Sequence, residues 1–208
     1  MRGRPYTTHA QEPCLTESPV RHKRGHAAVS AVIVVLVISA AFEGPCLRAQ
    51  AQDAGEYPVK AAFLYNFAKF VEWPPEAMGA SSAPLVLGVL GDDPFGSSID
   101  QLVAGKTANG RQLSVRRLKW GQDLGQCHIL FICSSERKRV PQILDSLKGT
   151  TVLTVGEMEQ FSQQGGMIQF VLEQSKVRFE INVGAADRAR LRVSSKLLAL
   201  AKTVRGRA

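Results

Sequence analysis

The chain has 208 residues, with 26 Lys and Arg against 18 Asp and Glu and a formal net charge of +8 at pH 7. With 45% hydrophobic residues it can fill the core of one domain, and no internal repeat or second domain is visible. The basic balance invites a nucleic-acid reading, which the front of the chain excludes.

Residues 1–51 read as an address. Arg21, Lys23 and Arg24 form a basic n-region, Ala27–Phe42 is an apolar run, and Ala49-Gln50-Ala51 is a small-x-small cleavage pattern. The run is shorter than the roughly 20 residues of a membrane-spanning helix. A cleaved signal peptide with an extended N-region is therefore expected, with the mature protein starting near Gln52 and lying in the periplasm. Gly44-Pro45-Cys46 hints at lipidation, but Pro45 is a poor neighbour for a modified cysteine. The expected product is one mildly basic domain over residues 52–208. An exported protein meets little nucleic acid, so its positive charge suits an acidic protein or an anionic membrane surface.

The first element of that domain is the most informative. From Glu56 the chain reads Glu-Tyr-Pro-Val-Lys-Ala-Ala-Phe-Leu-Tyr-Asn-Phe-Ala-Lys-Phe-Val-Glu-Trp-Pro-Pro. Pro58 fits the first turn of a helix, and Pro74-Pro75 stops it. At about 100° per residue, Val59, Phe70, Phe63, Phe67, Val71, Leu64 and Ala68 fill half the circumference. So wide an apolar face describes either a well-buried core helix or one that lends Phe63, Phe67 and Phe70 to a partner protein.

Downstream, Leu85–Gly91 is continuously apolar, as expected of a strand covered on both faces. Asp93-Pro94 opens a helix ending at Gly105, and Gln112–Leu118 alternates like a strand near a sheet edge. His128–Cys133 is a second buried strand, followed by a helix capped by Ser134 or Ser135 and running to Leu147. Thr150–Val155 reads as a strand and Glu157–Gln164 as a short helix. Met167–Leu172 and Val177–Val183 form a hairpin, and Ala185–Val204 a long final helix. The order predicts an α/β, three-layer domain with a largely parallel central sheet, a C-terminal β-hairpin and a long C-terminal helix.

The helix motif Ala-Ala-Phe-Leu-Tyr-Asn-Phe-Ala-Lys-Phe-Val-Glu-Trp-Pro, placed just after a signal sequence, resembles the YfiR family of exported bacterial regulators. The resemblance continues through Leu85–Gly91, Cys127–Cys133 and Val177–Ala201. It implies a partner, the periplasmic sensor domain of an inner-membrane diguanylate cyclase, held inactive when bound. It also implies an outer-membrane lipoprotein that sequesters the regulator, a homodimer, and redox-sensitive cysteines.

The residues themselves suggest no reaction. After processing, the cysteines are Cys127 and Cys133 and the histidine is His128, too few for the usual zinc site. Cys127 and His128 are strand neighbours pointing to opposite faces, which disfavours a dyad. If His128–Ile132 is extended, the two cysteine Cα atoms lie about 20 Å apart, far beyond the roughly 7 Å of a disulfide. There is no phosphate loop, nucleophile elbow or metalloprotease motif, so a non-enzymatic protein without cofactors is expected.

Two surfaces remain. The carboxyl ends of the strands supply Asp92, Ser134, Ser135 and Glu157, where a small molecule or anion would bind unless these residues merely cap helices. In a single final helix Arg188, Arg192 and Lys196 would lie about 40° apart, forming one basic stripe for an acidic partner.

Overall fold

The computed structural model describes residues 47–80 and 82–206, with side chains from residue 55 onward. The apolar run of the expected signal peptide lies outside the described residues. Helix α1 (Leu47–Phe70) holds Pro58 inside it rather than in its first turn. One backbone hydrogen bond is lost there, and burial of the helix face outweighs it. The buried positions are Lys60, Ala61, Leu64, Phe67 and Ala68. At about 100° per residue they fill an arc of about 120°, centred about 50° away from the one that hydrophobicity marks. That shift leaves Val59 exposed and Phe63 and Phe70 half-buried, and it draws Lys60 inside.

After α1 come β1 (Val71–Glu72), β2 (Leu85–Leu90), α2 (Ser97–Val103), β3 (Thr107–Ala108), β4 (Arg111–Leu118) and β5 (Ile129–Ile132). A 3-10 segment, Ser134–Arg139, leads into α3 (Val140–Ser146) and β6 (Leu153–Gly156). The chain closes with β7 (Ile168–Glu173), β8 (Lys176–Asn182), α4 (Val183–Arg188), β9 (Arg192–Val193), α5 (Ser195–Leu200) and β10 (Thr203–Arg205).

Eight of these strands form one sheet in the order β10-β8-β7-β6-β5-β2-β4-β3. Its neighbours pair in parallel except β7 with β8 and β3 with β4. The β7–β8 turn rests on Gln174 and Ser175, both at positive φ (49° and 59°), which suits the right-handed strand twist. Both faces are covered. Ile129, Phe131 and Cys133 join the core under α1, together with Phe170 and Phe179 from the hairpin. Leu130 and Ile132 point into the second core, with Val140 and Ile143 of α3 and with Phe161.

Four further sequence expectations need correction. The final helix Ala185–Val204 is instead α4, β9, α5 and β10. Arg190 turns the chain at φ 60°, Val193 pairs with Val71, and the Ser194 side chain caps α5 by accepting the Leu197 N–H. Two sheet edges explain the break: β1 takes β9 as its partner, and β8 takes β10. The helix expected at Asp93 starts at Ser97, because Asp93 accepts the Phe95 N–H (2.7 Å) in a turn before it. Neither Ser134 nor Ser135 makes a side-chain cap; the segment they open is a 3-10 turn with Cys133 at its cap position. Glu157–Gln164 is a series of turns, with Phe161 filling the space beside Gly156 and Gly166 where a Cβ would clash.

Candidate functional site

Parallel strands β5 and β6 end at Ile132 and Gly156, and the chain leaves them through Ser134 and Glu157. The Tyr57–Lys60 stretch of α1 reaches this end of the sheet. Lys60 Nζ donates to Glu157 Oε2 at 2.6 Å and also pairs with Glu56, one helical turn before it. The ammonium lies 4.6 Å from the centre of the Tyr57 ring and 5.9 Å from that of Phe170. A crevice of about 220 Å³ opens here, lined by Ser134, Glu157, Tyr57, Phe170 and the exposed Leu172. Lys60 is only 4% exposed, and an ammonium so deep is tolerated because two carboxylates and two ring faces replace its water.

The predicted ligand residues divide into two pairs. Ser134 and Glu157 line the crevice. Asp92 and Ser135 do not line it; the Asp92 N–H donates to Ser135 Oγ (2.9 Å) and so ties the end of β2 to the end of β5. The charge also differs from expectation, since one lysine faces two carboxylates, a poor cradle for an anion. The sequence reasoning missed Glu56, Tyr57 and Lys60, although the Glu56–Lys60 spacing of four is a recognised helix pair.

The predicted contact residues are scattered. Phe67 is fully buried, with ring centres of Phe170 and Phe179 at 5.8 and 5.2 Å, so it belongs to the core and not to a partner surface. Phe63 and Phe70 keep part of their surface at the edge of α1. Arg188, Arg192 and Lys196 are all exposed, but they sit on α4, β9 and α5 respectively, so the single basic stripe does not exist. Arg192 instead stands opposite Glu72 in the β1–β9 pair.

Cys127 and Cys133 are free, buried, and in different cores on opposite faces of the sheet. Burial pushes the Cys127 thiol up to about 11, and burial aided by Glu157 raises Cys133 further. His128 Nδ1 accepts the Val86 N–H at 3.1 Å, while its Nε2 is buried without a partner among the described residues. Burial, and then the charge of Arg111, holds that imidazole below its usual range. Among the described residues, no three His, Cys, Asp or Glu side chains cluster as metal ligands would.

The geometry is that of an α/β domain with a charged crevice at the carboxyl edge of a mostly parallel sheet. A family model described as YfiR/HmsC-like matches residues 57–202, and the chain belongs to that family. It is a regulatory rather than catalytic family, periplasmic, and connected with diguanylate cyclase signalling. Among solved structures the chain is similar to a conserved domain protein from Vibrio cholerae O1 biovar eltor str. N16961. Identity is 10%, coverage 58% of this chain and 55% of that one, and the TM-score 0.44, so the match spans about half the length of that structure. No helix among the described residues is long and apolar enough to cross a membrane.

Proposed function

We propose that this protein represses an inner-membrane diguanylate cyclase by binding the cyclase's periplasmic sensor domain. The observation that carries the reading is the family match across residues 57–202. Repression then works as a population shift: the regulator binds the off state of the sensor more tightly than the on state. The contact surface draws on the edge of α1, where Phe63 and Phe70 keep accessible carbon, and on the exposed cations Arg192 and Lys196. Release by an outer-membrane lipoprotein and assembly as a homodimer complete the proposal.

Deleting the gene should raise cellular cyclic di-GMP, and the purified exported protein should retain the sensor domain on a resin. Changing Arg192→Gln with Lys196→Glu should leave folding within about 1 kcal/mol, since exposed charges contribute little to stability. Binding should weaken through slower, less salt-dependent association. Unchanged cyclic di-GMP in the deletion strain, with no retention of the sensor domain, would overturn the reading.

A second reading, small-molecule binding at the strand carboxyl ends, draws on the crevice over Lys60. With Glu56 and Glu157 against one lysine, a neutral or cationic ligand suits it better than an anion. A ligand-dependent rise in melting temperature, abolished by Tyr57→Ala, would support that reading.

A further inference from the structure

A larger groove lies at the opposite end of the sheet, where β6 and β7 begin. It encloses about 660 Å³ between the end of α3, the Lys148–Val152 loop, the turn before Met167, and α4. That volume is within the range of small-molecule sites. Its apolar wall is made by Leu144, Leu147, Val152, Met167, Ala185 and Ala189. No aromatic side chain lines it, so it offers no flat face on which a ring could stack. The apolar part of the wall is aliphatic, with Thr150, Thr154 and Gln164 as its uncharged polar neighbours, and the unbranched Met167 adapts to the shape of a chain.

The charges at this groove are few and unequal. Lys148 and Asp145 form an ion pair with each other (2.5 Å) and so cancel. Arg188, in the last turn of α4, also lines the groove, and no carboxylate among the described residues pairs with it. One free guanidinium at the side of an aliphatic groove selects one kind of occupant: a single carboxylate carried on an alkyl chain. The planar fork of an arginine takes both carboxylate oxygens at once, which an ammonium cannot do. A dianion such as a phosphate monoester would leave one charge without a counter-ion.

We propose that this groove is a binding site for an aliphatic monocarboxylate, with Arg188 holding the carboxylate and the wall from Leu144 to Ala189 holding the chain. The site is separate from the crevice over Lys60 and is independent of the proposed cyclase contact.

Decanoate is a suitable probe, titrated calorimetrically into the exported protein beside its methyl ester, which has the same chain without the charge. Decanoate should bind at least tenfold more tightly than the ester. Arg188→Gln should remove that preference while leaving the ester's affinity unchanged, and Arg188→Lys should restore part of it. Leu144→Asp, which places an anion in the wall at a half-buried position, should weaken both probes. Thermal melts confirm that each variant is folded, and Lys196→Gln serves as a control cation elsewhere on the surface. Equal binding of decanoate and its ester, no binding of either, or a preference that survives Arg188→Gln would each overturn the proposal.

Discussion

Lys60 and Glu157 are 97 residues apart in the chain and 2.6 Å apart in space, each side chain more than nine-tenths removed from solvent. The pair latches the middle of α1 to the residue that follows β6. Breaking it from one side leaves a buried charge without its partner.

Lys60→Met should therefore destabilise the protein by about 3–5 kcal/mol, because Glu157 then keeps a buried charge near Glu56. Adding Glu157→Leu to the same chain should recover most of that loss. Urea denaturation of the single and double variants tests this, and a double variant as unstable as the single would refute the latch.

Phe67→Ala should cost about 3–5 kcal/mol, the usual range for a large aromatic removed from a core. Phe63→Ala should cost less, since its ring lies at the boundary of α1. Denaturant midpoints compared at equal m-value separate the two.

His128 gives the stability a pH dependence. Its folded pKa lies below the unfolded value of about 6.5, so the unfolded chain binds a proton that the folded chain refuses. The stability it contributes is fully present above pH 6.5 and is lost as the pH falls through the folded pKa. His128→Gln should flatten that acid limb, and NMR should show the ring in the folded protein titrating at a lower pH than in the unfolded chain.

The cysteines act at the other end of the scale. With the Cys127 thiol raised to about 11, the unfolded chain loses its proton first as the pH climbs. Stability should fall from the ordinary thiol range up to about pH 11, by at most about 1.4 kcal/mol per pH unit for each thiol. Thiol titration should find two slowly reacting groups in the native protein and two fast ones in denaturant.

How far was this structure legible? The apolar runs Leu85–Leu90 and Ile129–Ile132 announced central strands, because a strand buried on both faces admits little else. The alternation of Gln112–Leu118 placed β4 next to the edge. The C-terminal stretch misled because Val193, Leu197 and Leu200 have helical spacing, whereas the needs of two distant edges, at Val71 and at Glu180–Asn182, cut the helix into pieces. Such edges are invisible in a local window. Lys60 was hidden for a related reason. Its charge argued for solvent, and the carboxylate that allows its burial lies in another part of the chain. Asp92, Ser134, Ser135 and Glu157 were rightly assigned to strand ends, but which of them share a crevice depends on where α1 crosses the sheet.

The packing of α1 also sets an order of events. Phe67 meets Phe170 and Phe179, and Lys60 meets Glu157, so the helix made first has its partners in the last third of the chain. A periplasmic protein that crosses the membrane amino end first would present this helix long before β7 and β8 arrive. Contacts so remote in sequence form slowly, and exposed apolar surface in the meantime invites aggregation. In a chain exported in that order, the buried face of α1 would stay uncovered until the hairpin emerges to receive it.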